Sequence, residues 1–268
     1  MDFKTRYGPW AVIAGASEGT GREFARKVAS EGVSLILVAR RLEPLETLAQ
    51  EIRAEHGVEC VTASVDLGAA DAAERIAAAV GSREVGLYIN NAGSDTNGAG
   101  FLSKDVSAWV QLVNLNVTTP LTCCHHFGGP MKARGRGGLL IVNSGACYGG
   151  AAGLTTYAGS KAFELVFTEG LWAELHGYGV DVLTLVLGQT DTPAYRTLLA
   201  ERGQPLPTNW ASPAEVAKVG LEQLPHGPIH NWGSPNDAAG PSATSPDARR
   251  ARVLAISQHT VALTGGTV

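Results

Sequence analysis

The chain has 268 residues, of which 44% are hydrophobic and 17% charged, and its formal net charge is −4. This composition excludes a disordered chain, and the slightly acidic balance gives no indication of a nucleic-acid partner or of binding to an anionic membrane. Four cysteines without a C-x-x-C pair, and a start without the apolar core of a signal peptide, indicate reduced thiols in a cytoplasmic protein. No apolar run approaches the ~20 residues that a membrane span needs.

Strands and helices are predicted to alternate along the first 190 residues. The predicted strands cover residues 10–14, 34–39, 60–65, 85–89, 138–142 and 180–187. The helices between them cover residues 20–30, 42–56, 69–80, 107–127 and 155–176. Because these strands are apolar throughout, they are typical of a parallel sheet covered on both faces. With right-handed crossovers, the predicted fold is α/β, a Rossmann-type doubly wound parallel sheet with helices on both faces.

The last third of the chain has more prolines and more turn residues. A substrate lid with a short helical stretch is predicted at about 189–211, and the capping box of Ser212 and Glu215 starts a helix. Residues 228–232 are expected to form a short strand, 233–246 a loop and 247–263 a helix. We therefore expect one dinucleotide-binding and catalytic domain over 1–268, with a C-terminal loop plus helix at about 233–264.

A glycine loop follows the first predicted strand and reads Gly15-Ala-Ser-Glu-Gly19-Thr-Gly21. Glycines between a strand and a helix let the backbone approach a pyrophosphate, whose charge rests on the helix N-terminus. The same letters spell G-x-S-x-G, the nucleophile elbow of α/β-hydrolases. That site takes its oxyanion donor from an earlier strand–helix loop, and none is predicted here. The loop therefore favours a nucleotide.

The end of the second strand bears on which dinucleotide is bound. A dinucleotide site commonly has an acidic residue here for the ribose 2′-hydroxyl, whereas this chain has Ala39, Arg40 and Arg41. A guanidinium can bind a 2′-phosphate bidentately, and an acid would repel it. The alternative is a solvated arginine pair. The residues favour NADP(H), with Arg40 as the main contact and Glu18 in the loop opposing it.

Tyr157 and Lys161 are spaced i, i+4 near the start of a predicted helix, so they share one face. An ammonium beside a phenol stabilises the phenolate, so we expect a lowered pKa for Tyr157, which suits proton exchange near neutral pH. Ser144 lies just after the fifth strand, where its hydroxyl could hydrogen-bond a substrate oxygen.

With these residues the chain resembles the short-chain dehydrogenase/reductase family over about residues 8–232. The glycine loop, Asp66 after the third strand, Asn90-Asn-Ala-Gly93 after the fourth and Thr192 after the sixth match family motifs in order and spacing. The resemblance implies four catalytic residues: Asn116, Ser144, Tyr157 and Lys161. The cofactor-binding candidates are Gly15, Ser17, Glu18, Gly19, Thr20, Gly21, Arg40, Arg41, Asp66, Leu67, Asn91, Ala92, Gly93, Tyr157, Lys161, Gly188, Thr190 and Thr192.

The resemblance implies an NADP(H)-dependent oxidoreductase that interconverts a ketone and a secondary alcohol by hydride transfer. Tyr157 would be the general acid and base, Ser144 would orient the oxygen, Lys161 would hold the nicotinamide ribose, and Asn116 would anchor a proton-supplying water. The pocket and lid candidates carry no charge and indicate a largely apolar substrate such as a steroid or a 3-oxoacyl compound; they are Leu154, Tyr195, Leu198, Leu199 and Trp210. A homodimer or homotetramer is expected.

The sequence admits two other interpretations. A non-catalytic dinucleotide-binding redox sensor is the alternative function, and it is disfavoured because a sensor has no need of the four catalytic residues. Cys123-Cys-His-His126 suggests a metal site. Consecutive helical residues point about 100° apart, however, so these four cannot close a tetrahedron. No metal is therefore predicted.

Overall fold

The computed structural model describes residues 1–95 and 97–231, together with residues 255 and 258. Within these residues, seven strands form one parallel sheet in the order β3-β2-β1-β4-β5-β6-β7. This confirms the predicted fold class. The order reverses between β1 and β4, and in open α/β sheets ligands bind beyond the carboxyl ends of the strands at such a switch point. The strands are β1 (Trp10–Ala14), β2 (Ser34–Ala39), β3 (Cys60–Ser64), β4 (Val85–Asn90), β5 (Gly137–Ser144), β6 (Val180–Leu187) and β7 (Ile229–Asn231).

Helices connect the strands and cover both faces of the sheet. Short 3₁₀ turns cover 101–103, 145–148, 176–178 and 224–226, and one π turn covers Asn114–Thr118. The α-helices are α1 (Phe3–Tyr7), α2 (Gly19–Ser30), α3 (Leu42–His56), α4 (Ala72–Val80), α5 (Val106–Val113), α6 (Thr119–Arg134), α7 (Thr155–Leu175), α8 (Pro193–Glu201) and α9 (Pro213–Gln223).

The hydrophobic core has two parts, one on each face of the sheet. Alternate strand residues point to opposite faces, so Ile13 packs into one part and Val12 into the other. Phe24 of α2 and Val216 of α9 cover the first face, and Ile76 of α4 covers the second. Two buried faces explain why the strands are apolar without alternation.

The predicted helix 107–127 is wrong in its continuity and its end. The structure has α5, the π turn and α6 in succession, and α6 continues through Pro130 to Arg134. Gly128, Gly129 and Pro130 indicate a break by local propensity. Met131 is nevertheless fully buried against the sheet, so tertiary packing outweighs the local preference.

The remaining predictions differ in outcome. The capping box is confirmed, since Ser212 accepts a hydrogen bond from the Glu215 backbone and the Glu215 carboxylate accepts one from the Ser212 backbone. The predicted strand at 228–232 is found as β7. The predicted loop 233–246 and terminal helix 247–263 lie outside the described residues, apart from residues 255 and 258, and the division into domains stays a prediction. Among the described helices, none combines the length and apolar character that crossing a membrane requires.

Candidate active site

The glycine loop after β1 packs directly against the segment after β4. Asn91 Nδ2 donates a hydrogen bond of 3.0 Å to the Gly15 carbonyl. A Cβ on Gly15 would lie 2.8 Å from the Ala92 nitrogen, and one on Gly21 would lie 2.0 Å from the Gly15 oxygen. Gly15 also has a φ of +85°, which disfavours other residues. Both positions therefore require glycine, and the two predicted motifs form one surface.

The N-terminus of α2 opens at this surface. Its N-cap residue Glu18 makes no side-chain hydrogen bond to the first turn of the helix. The first N–H groups of a helix lack partners within the helix and favour an anion. Ser17 is half-buried in the loop, and Thr20 is buried in the first turn. The predicted loop residues therefore surround a site suited to a phosphate.

The two arginines after β2 have different surroundings. Arg41 forms an ion pair of 2.5 Å with Glu18, whereas the exposed Arg40 side chain has no hydrogen-bond or ion-pair partner among the described residues. The Glu18 charge that was expected to oppose a 2′-phosphate is therefore compensated by Arg41. Sequence reasoning missed this pair, since the two residues are 23 positions apart.

Two of the cofactor-binding candidates, Asp66 and Leu67, follow β3. The Asp66 carboxylate accepts a hydrogen bond of 3.1 Å from the Gly68 backbone. Leu67 is buried, and its carbonyl accepts a bond of 2.9 Å from the Thr119 hydroxyl. These contacts hold the turn after β3 against the start of α6, beside the end of β2.

The segment after β6 reaches back to the glycine loop. Thr192 caps α8, where its hydroxyl accepts a hydrogen bond of 3.2 Å from the Tyr195 backbone. The Thr192 methyl lies 3.1 Å from where a Cβ on Gly19 would sit. Thr190 donates to the Gly188 carbonyl at 3.4 Å. The base of the predicted lid therefore contacts the predicted cofactor loop.

Tyr157, Ser144 and Lys161 meet at the carboxyl end of β5. Lys161 Nζ is 6.0 Å from the centre of the Tyr157 ring, on the same face of α7 as predicted. Ser144 ends β5 and hydrogen-bonds the Tyr157 phenol. Its hydroxyl also accepts a bond of 3.2 Å from the Ala146 backbone, which fixes its orientation. The Tyr157 phenol and the Ser144 hydroxyl are therefore placed to contact one oxygen atom of a substrate, with the buried Lys161 ammonium near the phenol ring.

The pKa of Tyr157 differs from the sequence expectation. Burial raises it, and this effect outweighs the lowering by the Lys161 ammonium and by the hydrogen bond with Ser144. Glu164 and Asp95 raise it further. The expected net lowering is therefore wrong for the protein alone, because the sequence spacing did not reveal the cost of desolvating the half-buried Tyr157 side chain.

Lys161 is itself buried, and two groups hold its ammonium. Nζ donates a hydrogen bond of 3.1 Å to the Val142 carbonyl and one of 2.7 Å to Glu164 Oε2. Burial alone would lower the pKa of Lys161, but Glu164 and then Tyr157 raise it above its usual value. Burial raises the pKa of Glu164 to about 7, against the opposing effect of Lys161. Sequence reasoning missed Glu164, for which the i, i+3 spacing from Lys161 was the available signal.

Asn116 lies within the π turn and is fully buried. Its Nδ2 donates to the Leu112 carbonyl at 3.1 Å and to the Ser94 carbonyl at 3.4 Å, whereas Oδ1 has no partner among the described residues. A Cβ on Gly93 would lie 2.9 Å from Asn116 Oδ1 and 2.6 Å from Lys161 Nζ. Glycine at position 93 thus keeps a small space open between the two polar groups.

The Cys-Cys-His-His run of α6 is divided between the core and the surface. Cys123 and Cys124 are buried among the side chains on the α4 and α6 face of the sheet. His125 and His126 are exposed. The four side chains therefore do not converge on one point.

Comparisons with known proteins identify relatives that are similar in sequence over most of this chain. The model of the short chain dehydrogenase family matches residues 9–203. A 7beta-hydroxysteroid dehydrogenase of Clostridium sardiniense is 34% identical over 225 residues, which cover 84% of this chain and 85% of that protein. A very-long-chain 3-oxoacyl-CoA reductase of Laccaria bicolor is 35% identical over 67% of this chain and 54% of its own length.

A solved structure from work on 7beta-hydroxysteroid dehydrogenase stereoselectivity superposes with a TM-score of 0.81. It is 31% identical in sequence, and the match covers 87% of this chain and 90% of that one. The fold therefore agrees with that of this solved structure, and the matches to it and to the Clostridium sardiniense enzyme cover most of each chain.

Proposed function

The chain belongs to the short-chain dehydrogenase/reductase family, and from that premise we propose that it interconverts a ketone and a secondary alcohol on a largely apolar substrate, with NADP(H) as cofactor. The observation that supports this most is the meeting of Tyr157, Ser144 and Lys161 beside the glycine loop. A phenol, a hydroxyl and a buried ammonium at one point suit proton transfer to a carbonyl oxygen.

The residues present fit a dinucleotide. The glycine loop packs closely on the segment after β4, and the uncapped start of α2 beside it favours a pyrophosphate. Arg40 would bind a 2′-phosphate, and Lys161 would hold the nicotinamide ribose. When bound, the cofactor supplies or accepts the hydride, whereas the protein supplies position and charge.

The chain's own residues would then move the proton. Tyr157 donates its phenolic proton to the carbonyl oxygen during reduction, and its raised pKa keeps that proton in place at neutral pH. Ser144 donates a hydrogen bond to the same oxygen and orients it. Asn116 would anchor, through Oδ1, a water that restores the proton. In alcohol oxidation the same atoms act in reverse.

The lid residues support an apolar substrate. Leu154, Tyr195, Leu198 and Trp210 are half-buried around the lid, and the Tyr195 and Trp210 rings are 6.5 Å apart. The lid arginine Arg196 is paired with Asp191 at 2.5 Å, so the two charges balance. Ligand sites are mostly apolar with a few placed polar groups.

We expect NADPH consumption to be fastest with bulky apolar ketones. The named relatives act on hydroxysteroids and 3-oxoacyl-CoA, so steroid ketones and 3-oxoacyl thioesters are the first substrates to test. The measurement is absorbance loss at 340 nm over these ketones, small ketones and phosphorylated sugars. Turnover of phosphorylated sugars or polyacids alone would refute the apolar pocket. Tight NADPH binding without turnover of any carbonyl would instead support the redox sensor.

We also propose that the chain is a homodimer or homotetramer and works in the cytoplasm. The described cysteines are all free thiols, which suits a reducing compartment. Several valines on α5 and apolar residues on α7 are exposed, although monomers rarely expose large apolar patches. They are Val106, Val110, Val113, Phe163 and Val166.

We expect light scattering after size exclusion to give at least twice the mass of one chain. Val110→Glu combined with Val166→Glu should lower that mass, because both residues are more than half exposed and a charge would be buried on assembly. A wild-type monomer at micromolar concentration would contradict this expectation.

A further inference from the structure

Glu164 is a buried carboxylate that the proposed reaction does not use. Its side chain is 2% exposed and pairs with Lys161 at 2.7 Å, while Oε1 has no partner among the described residues. Burying a charge with one oxygen unsatisfied is costly, and a buried ion pair is weak support for stability. A role in the site is therefore the better explanation for this residue.

We propose that Glu164 is a positioning residue that fixes the Lys161 ammonium at the carboxyl end of β5 and keeps it positively charged. The proposal rests on the proposed function, since Lys161 is there assigned to the ribose and to Tyr157. It adds a residue outside the four catalytic ones.

Two of the N–H donors of the Lys161 ammonium have partners within the protein, which leaves one for the cofactor side of the site. An ammonium has three N–H donors. One is taken by Glu164 from α7 and one by the Val142 carbonyl from β5, so the ammonium is held between a helix and a strand. Nζ also lies 2.6 Å from where a Cβ on Gly93 would sit. The remaining donor therefore serves the side of the site where Gly93 and Asn116 lie.

Among the described residues, Glu164 is the carboxylate whose negative charge raises the pKa of Lys161. The other titratable groups acting on Lys161 are the Tyr157 phenol and the Cys147 thiol. Around Glu164 itself are the Tyr88 phenol from β4 and the Cys124 thiol from α6, whose pKa values burial raises well above the usual range. Phenols and thiols are ordinarily neutral at neutral pH.

Glu164 is ionised in the pH range in which an unpaired Lys161 would lose its proton. Burial alone favours the neutral form of a lysine, so an unpaired Lys161 would lose its proton at lower pH. Glu164, with its pKa raised to about 7, is ionised above neutrality and opposes that loss. Without it, Lys161 would become neutral in the alkaline range and would bind a ribose less firmly.

The test is the affinity for NADPH between pH 7 and 10, measured by fluorescence titration without substrate. For Glu164→Gln we expect the dissociation constant for NADPH to increase roughly tenfold as the pH rises from 7 to 10. The reason is that Lys161 becomes neutral, so the hydrogen bond from a charged donor to the ribose is lost. Glu169→Gln, an exposed residue of the same helix, should follow the wild type. Glu164→Asp keeps the charge at a greater distance, so its profile should fall between the two.

Stability gives a second readout that needs no cofactor. The native pKa of Glu164, about 7, lies above its ordinary value of 4.5. The stabilising contribution of its protonated form is therefore complete below pH 4.5 and disappears as the pH rises to 7. The melting temperature of the wild type should therefore fall relative to Glu164→Gln over that interval.

Superimposed affinity profiles for the wild type and Glu164→Gln would overturn the proposal. If Glu164→Gln does not fold, the comparison is made with Glu164→Asp. A pH dependence of its dissociation constant identical to that of the wild type would then overturn the proposal. Because both measurements omit substrate, a failure to reduce any ketone would refute the proposed function and leave this inference intact.

Discussion

Tyr157→Phe should lower the rate of ketone reduction by about 10²- to 10⁴-fold and leave the affinity for NADPH nearly unchanged. The phenylalanine ring keeps the packing of α7 and its place 6.0 Å from Lys161 Nζ, and only the exchangeable proton is lost. The measurement is kcat with the best ketone of the panel, together with the dissociation constant for NADPH.

Tyr178→Phe is the matched control, because Tyr178 is exposed in the 3₁₀ turn after α7 and lies outside the site. It should keep the wild-type rate. If Tyr157→Phe retains more than about a tenth of that rate, Tyr157 is not the proton donor.

Arg40→Ala should weaken NADPH binding by roughly 10- to 150-fold and leave NADH binding nearly untouched. A hydrogen bond to a charged group contributes about 1.5–3 kcal/mol, and each ~1.4 kcal/mol is a factor of ten in affinity. The effect should fall on Arg40 because Arg41 is already paired with Glu18 at 2.5 Å. Only NADPH carries the 2′-phosphate that the guanidinium would contact.

Adding Ala39→Asp to Arg40→Ala should move the preference to NADH, since a carboxylate accepts from the ribose hydroxyls and repels a phosphate. Arg26→Ala, a surface arginine of α2 paired with Glu51, is the control and should change neither affinity. The measurement is titration of both cofactors into each variant. Equal wild-type affinities for the two cofactors would show that Arg40 is only solvated.

The sequence predicted the sheet closely because each strand is a short apolar run between glycines or charged residues. β1, β2 and β6, and the helix α3, have the predicted bounds residue for residue. The end of α6 was missed because Met131 packs on the sheet beyond a glycine–proline break. No local pattern reports that contact.

The candidate site was predicted as far as its residues lie in contiguous motifs. The glycine loop, Asn91 and the Tyr157–Lys161 pair were found in this way. The Glu18–Arg41 pair, the Glu164–Lys161 pair and the direction of the Tyr157 pKa shift were not, because they depend on side-chain distances and burial.

The π turn between α5 and α6 links two parts of the molecule. A π turn carries one residue more than an α turn, so deleting Leu115 would restore a regular helix without interrupting it. Every side chain before the deletion would then rotate by about 100° relative to α6. Asn116 follows the deletion and would keep its phase with α6, but it would lose the Leu112 carbonyl that accepts its Nδ2 hydrogen bond. Val106 and Val110 would turn away from the proposed subunit contact. The extra residue of the π turn thus sets the angle of α5 relative to Asn116 and α6, so an insertion or deletion there would disturb the proposed catalytic site and the proposed subunit contact together.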